Sequence, residues 1–214
     1  MKHKFLLTTL LGIALSTGTA WSDDNHAGYV TQEIDNIGYF ENIISNASFD
    51  VEFTQHKEQK VSVYGDAQQI GNVNFTLMGK TLVIGAAEGS NVSNVKVILT
   101  APDLLCAILS GSGDIDVKNL INDRFTATSS GSGEIELTGS CNKAEYNLNG
   151  SGDIDAEEFR VDFLEATVNG SGNIDCRCVD TLNANVVGSS VIEIHGPTRT
   201  VNRSGRKAGI RHDN

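Results

Sequence analysis

The chain has 214 residues, a formal net charge of −11 at pH 7 and only 6% aromatic residues. That length suits a single domain once a leader is set aside, and the acidity disfavours a nucleic-acid-binding body. So few aromatics fit a narrow core filled by Ile, Val, Leu and Ala rather than one built on large rings.

Residues 1–20 combine a basic start (Lys2, Lys4), an apolar run from Phe5 to Leu15 and a small-residue exit ending at Ala20. This is the pattern of a secretory signal peptide, with cleavage expected before Trp21. The run is too short to span a bilayer, and no later segment approaches eighteen apolar residues, so no transmembrane segment is expected in the mature chain. Residues 21–38 show little pattern and are expected to form a flexible arm. Short β-rich runs come next at Ile43–Ile44, Phe49–Phe53, Val61–Tyr64, Val73–Leu77 and Thr81–Ile84, with Met78-Gly79-Lys80 as a hairpin turn between the last two. Val95–Thr100 then leads through Ala101-Pro102-Asp103 into the regular part of the chain. No Pro-, Ser- or Gly-rich linker separates these runs from the regular part, so they are expected to be the first, loopier coils or cap of the same domain.

From Leu105 to Ile194 the chain repeats itself five times: LCAILSGSGDIDV (105–117), FTATSSGSGEIEL (125–137), AEYNLNGSGDIDA (144–156), LEATVNGSGNIDC (164–176) and LNANVVGSSVIEI (182–194). The first glycines step by 20, 19, 20 and 18 residues, a period that belongs to stacked repeats. Within a unit the alternation is strict: Leu105, Ala107, Leu109, Gly111, Gly113, Ile115 and Val117 share one side. Period-two alternation specifies strands, and no unit carries a 3.6-residue apolar stripe. Four glycine pairs fall on the inward parity at mid-unit: Gly111 with Gly113, Gly131 with Gly133, Gly150 with Gly152, and Gly170 with Gly172. Glycine there permits a corner, or a close approach that a side chain would block. The connections (118–124, 138–143, 157–163 and 177–181) vary in length, as the bulging corner of a solenoid would. The expected fold is therefore all-β, a parallel β-helix with coils of about 20 residues stacked roughly 4.8 Å apart.

The order of parts resembles the bacterial family of putative auto-transporter adhesins with a head GIN domain. The matching stretches are FENIISNASFDVEF (40–53), KVSVYGD (60–66), KTLVIG (80–85), VKVILTAPDLL (95–105), the GSG[DEN]I[DE] repeats and HGPTRTVNRSG (195–205). The resemblance implies a right-handed β-helix in an exported protein and brings no catalytic residues with it. It suggests one head-GIN-like domain over 39–212, with regular repeats over 104–196 and a basic cap over 197–214. The chain departs from the pattern at Gly188-Ser189-Ser190 and in carrying four cysteines.

No catalytic constellation is expected. None of the five histidines has a motif partner, and no G-x-S-x-G, Walker, G-x-G-x-x-G or H-E-x-x-H motif occurs. The GSG serines form a ladder, but a hydroxyl without a base beside it is not a nucleophile. Four cysteines in an exported chain suggest disulfides, yet stacking would set Cys106 and Cys176 three coils apart and Cys141 and Cys178 two coils apart. Both separations exceed the ~7 Å that a bridge allows. Cys176 takes the inward slot of Val117, Leu137, Ala156 and Ile194 and is expected to act as a small buried hydrophobe.

Charge is the feature that could carry function. In register, Asp116, Glu136, Asp155, Asp175 and Glu193 would form one column, and Asp114, Glu134, Asp153 and Asn173 a second beside it. The strip is either a solvated acidic face that keeps an edge-rich β protein soluble or a strip for divalent cations, calcium foremost, with Asp114, Asp116, Glu134, Glu136, Asp153, Asp155 and Asp175 as ligands. It matches neither an EF-hand loop nor a nonapeptide calcium roll. The basic tail (Arg199, Arg203, Arg206, Lys207, Arg211) would fold back on this wall or cap the last coil. Taken together, the sequence points to a non-enzymatic envelope or surface protein, periplasmic or external, that contacts an envelope protein or glycan through its wall. A calcium-dependent binding module is the alternative, and a polysaccharide-active enzyme on paired carboxylates comes third.

Overall fold

The computed structural model describes residues 28–205 and 209–213, so the leader and most of the expected arm lie outside the described residues. Fifteen strands form one continuous sheet wound into a solenoid. They are β1 (Tyr29–Glu33), β2 (Asn42–Ser45), β3 (Asp50–Gln55), β4 (Lys60–Asp66), β5 (Val73–Met78), β6 (Thr81–Ala86), β7 (Val95–Ala101), β8 (Cys106–Leu109), β9 (Ile115–Ser129), β10 (Ile135–Leu148), β11 (Ile154–Gly170), β12 (Asn173–Gly188), β13 (Val191–His195), β14 (Thr200–Gly205) and β15 (Ile210–Asp213). The five repeats stack in parallel in the expected register: Ile115, Ile135, Ile154, Ile174 and Ile192 face one another coil to coil, as do Ala127, Tyr146, Ala166 and Ala184. The inward residues make one core running the length of the stack. Tyr146 is the single large ring in its column and is fully buried, flanked in register by Ala127 below and Ala166 above, which leave room for it.

Three features extend the sequence-based picture. First, the stack does not follow chain order at its base. β2 and β3 lie directly beneath the first repeat, with Ile43 under Ala107 and Val51 under Ile115, while β6 and β7 lie beneath β2 and β3. Residues 56–104 thus add a coil, β6–β7, below one that precedes them in the chain, close the lower end with its antiparallel partners β5 and β4, and return to start the first repeat. Tyr29–Glu33, within the stretch expected to be an arm, pairs antiparallel with β4 at this end. Second, the basic tail makes a further parallel coil, β14 on β12 and β15 on β13. Val201 over Leu182 and Ile210 over Ile192 still pack on the core, while Arg203 over Ala184 and His212 over Ile194 are exposed, and these polar residues end the apolar columns. Third, the connectors are not free corners. They pair coil to coil as well, as in Asn122–Cys141–Val161–Cys178, and their unequal lengths are absorbed by register shifts between Leu137 and Gly139, between Ala156 and Arg160, and between Val161 and Phe163.

Of the two roles expected for the glycine pairs, close approach between coils is the one that requires glycine, and backbone conformation is not. None of the eight (Gly111, Gly113, Gly131, Gly133, Gly150, Gly152, Gly170 and Gly172) has a positive φ. A Cβ on Gly131 would drive into the carbonyl oxygen of Gly111, one on Gly152 into that of Gly133, and one on Gly172 into that of Gly152. The remaining five meet the coil below in the same way. The carbonyls beneath the first glycine of each pair already receive the corner hydrogen bonds: Ser132 N–H donates to Gly111 O at 3.2 Å and Ser171 N–H to Gly150 O at 3.1 Å. Gly172 also lies outside the strands, in the two-residue break between β11 and β12, where its N-terminal partner Gly170 still ends β11. The last corner differs, as its sequence does. Gly188 turns at φ 98°, and Ser190 is buried with its hydroxyl donating to Gly170 O at 2.7 Å.

All four cysteines are free. Burial pushes the thiol of Cys141 up to about 11 and raises those of Cys106, Cys176 and Cys178, which disfavours the reactive thiolate; Cys141, Cys176 and Cys178 pack in the core, and Cys106 is half-buried.

Two measurements check this picture. Gly131→Ala should lower stability in urea unfolding by about 3 kcal/mol or more, because the clash is with the backbone of the coil below. Gly85→Ala, where a Cβ meets nothing within 4 Å, should stay within ~1 kcal/mol of wild type; equal effects of the two would remove the close-approach account. Maleimide at neutral pH should label the native protein slowly and all four cysteines once it is denatured without reductant. Recovery of fewer than four would mean that disulfides form.

Candidate functional site: an acidic wall with cationic ends

Strand alternation turns every second residue of the arms that begin at Ile115, Ile135, Ile154, Ile174 and Ile192 outward, and the parallel register aligns those residues up the stack. The column is longer than the repeats alone imply: Glu52, Asp116, Glu136, Asp155, Asp175 and Glu193 face one another in consecutive coils. Both ends carry cations. Below, Lys118 Nζ stands 2.8 Å from Glu52 Oε2, and Lys96 Nζ bridges Glu52 and Asp116 at 3.6 Å each. Above, Arg211 follows Glu193 in register, and the half-buried His195 ring lies between Asp175 (3.5 Å) and Glu157 (3.7 Å).

The second column has a different task. Asp114 Oδ1 accepts the N–H of Glu134 at 2.8 Å, Asp153 Oδ1 that of Asn173 at 2.6 Å, and Asn173 Oδ1 that of Val191 at 3.2 Å. Asp50 Oδ1 does the same for Asp114 at 3.3 Å. These four side chains continue the backbone ladder past their glycine corners, so Asp114 and Asp153 are already engaged in holding one coil to the next.

The structure thus aligns the strip residues and separates their roles: Asp116, Glu136, Asp155 and Asp175 are presented outward in one line, while Asp114 and Asp153 serve the corner. Among the described residues, no three carboxylate, imidazole or thiol groups are arranged to hold a metal ion. The three principal clefts are lined by other residues than the strip. His195 joins the wall although no motif marks it. The sign of it in the sequence is positional: it stands two residues beyond Glu193, on the same outward parity, in the coil above Arg177.

Like charges at coil spacing perturb one another. Burial raises the Glu134 carboxyl, and the charges of Asp155, Asp114, Asp153 and Glu136 add to the rise. Burial also raises Asp175, reinforced by Asp155 and Glu193 and opposed by His195. For Glu52 burial acts upward too, but Lys118 and Lys96 outweigh it and hold its carboxyl below the ordinary value.

A family model described as putative auto-transporter adhesin, head GIN domain, matches residues 39–197. No curated protein matches the chain in sequence. Among solved structures the chain is similar to a putative adhesin from Bacteroides fragilis NCTC 9343, 21% identical over 87% of this chain and 97% of that one, with a TM-score of 0.70. A putative adhesin from Parabacteroides distasonis ATCC 8503 is also 21% identical, over 89% and 98%, with a TM-score of 0.55. A putative lipid binding protein from the same organism is 22% identical over the same shares, with a TM-score of 0.51. These likenesses establish a common fold.

The raised carboxyls fix a sign. Glu134 and Asp175 hold protons in the folded state above their ordinary values of 4.5 and 3.8, so the folded form binds more protons in the window just above those values. Stability should fall as pH rises through that window. Glu52 acts oppositely, and its contribution is lost as pH falls through its lowered value. Melting curves should therefore show greatest stability in mild acid, and Glu134→Gln or Asp175→Asn should flatten the decline toward neutral pH. A profile unchanged in both variants would remove the coupling within the strip.

Proposed function

We propose, from the premise that the chain belongs to the putative auto-transporter adhesin, head GIN domain family, that it is an exported, non-enzymatic surface or envelope protein. It makes contact with a protein or glycan partner through its acidic wall. The observation that carries this is the six-carboxylate line Glu52–Asp116–Glu136–Asp155–Asp175–Glu193. A reaction centre gathers groups of different kinds around one point, whereas these are groups of one kind spaced evenly along a rigid face. Such a face suits a partner that bears repeated cationic or hydroxyl groups, because each coil adds an equivalent contact. The family's name supports export and the surface, and the leader-like pattern of residues 1–20 is consistent with it. The neighbour described as a lipid binding protein shares only the fold at its level of identity.

Attachment assays test this. Beads coated with the protein should adhere to protein- and glycan-bearing cell surfaces, and adhesion should fall several-fold as salt rises toward 0.5 M, where charges are screened beyond about 4 Å. The variant Glu136→Gln/Asp155→Asn/Asp175→Asn, folded by circular dichroism, should adhere several-fold less. Undiminished adhesion by that variant would move the contact off this wall, and product release from an acidic polysaccharide would overturn the non-enzymatic assignment. Calcium at matched ionic strength separates a cation-bridged contact, which it strengthens, from a direct one.

A further inference from the structure

A second surface, on other side chains, has its own chemistry. Where the connectors bend into the first arms of the repeats, the parallel register stacks Arg124, Lys143, Phe163 and Thr181 in consecutive coils. Two residues further along each strand, on the same outward parity, stand Thr126, Glu145, Glu165 and Asn183. These two rows line a cleft of about 490 Å³. Arg124 and Lys143 are adjacent like charges, yet in a protein of net charge −11 neither pairs with a carboxylate among the described residues. Phe163 continues the cationic row and is 47% exposed, although this position could hold any polar residue without loss to the core. Glu145 accepts a hydrogen bond from Asn147 at 2.8 Å, which holds it facing outward rather than toward Lys143.

The complementary ligand is set by this layout. Two cations side by side select a group with several anionic oxygens. A parallel row of carboxylates, one two-residue step of about 6.6 Å away, together with an open phenyl face, selects a cation. We propose that this cleft binds a zwitterionic phospho-ammonium group of the phosphocholine or phosphoethanolamine class. The phosphate lies on Arg124 and Lys143, and the ammonium lies between Glu165 and the Phe163 ring. Its short two-carbon bridge carries the ligand from one row to the other. The same group occurs on lipid head groups and on phosphate-modified glycans.

Calorimetric titration of the purified protein with phosphocholine and phosphoethanolamine tests this, with inorganic phosphate and choline as half-ligand controls and vesicles of phosphatidylcholine to identify the source. At least one whole head group should bind, and more tightly than either half. Arg124→Ala/Lys143→Ala should weaken binding by about tenfold or more. Phe163→Ala should weaken it several-fold, and Glu165→Gln should weaken phosphocholine but leave inorganic phosphate unchanged. All of these side chains are outward, and variants melting within a few degrees of wild type qualify for comparison. Saturable binding to vesicles together with free phosphocholine supports a lipid source; binding of the free group alone supports a glycan source. The proposal is overturned if neither head group binds, if inorganic phosphate binds as tightly as both, or if the Arg124/Lys143 variant binds as wild type does. None of these outcomes bears on the acidic wall, whose variants are separate.

Discussion

Everything in this molecule depends on how closely one coil can sit on the next at the glycine corner. There the carbonyl of Gly111, Gly131 or Gly150 points along the stack and accepts a Ser N–H from the coil above, leaving no room for a Cβ on the glycine stacked over it. This contact fixes height and register together, and with them every inward and outward column. The exception explains the rule. In the β2–β3 coil the two corner slots are occupied by Ala47 and Phe49, both buried. Beneath them the chain does not turn tightly: residues 87–94 loop wide, Val92 is buried there, and Ser48 reaches its carbonyl. A side chain is admitted where the coil underneath stands aside and excluded where it does not.

That rule also decides what could be recognised from the sequence. The five repeats are legible because glycine marks each corner and apolar residues mark each inward slot. The coil at 42–55 shares the same frame, NIISNASFDVEF against CAILSGSGDIDV, but Ala47 and Phe49 hide it. The coil at 200–213 is hidden at the other end, because only Val201 and Ile210 keep apolar inward positions while Arg203 and His212 stand at the next ones and break the alternation. Both losses have one cause: a terminal coil has a neighbour on one side only, so it is released from the constraint that writes the pattern. The placement of 56–104 below a coil that precedes it in the chain is a long-range event with no local signature. Of the acidic wall, its line and its register were readable. The division of labour was not, since whether Asp114 captures a backbone N–H or faces solvent is set by how the corner of the next coil sits over it.

The two outward surfaces show how a one-dimensional stack makes chemistry from repetition. A substitution in one repeat is seen beside its counterparts above and below, so like charges accumulate unless the ends intervene. On the acidic line, Lys96 and Lys118 at one end and His195 and Arg211 at the other are placed where the run stops. At the connector bend, by contrast, the column changes character from Arg124 and Lys143 to Phe163 and Thr181 within four coils. Uniform columns make extended faces, and mixed columns make pockets.

The out-of-order base has a mechanical meaning. Strands run across the stack, so the inter-coil hydrogen bonds lie along its axis, and a pull between the two ends loads them one row at a time. From the upper end the chain can be peeled coil by coil, each releasing about 20 residues, or roughly 70 Å of contour. The lower end has no such freedom. The β2–β3 coil is clamped between β6–β7 beneath and the first repeat above, so once β1 has come away from β4, tension on the N-terminal side must break two ladders together before more length is gained. The solenoid is a ratchet under load, yielding from one end and locked at the other.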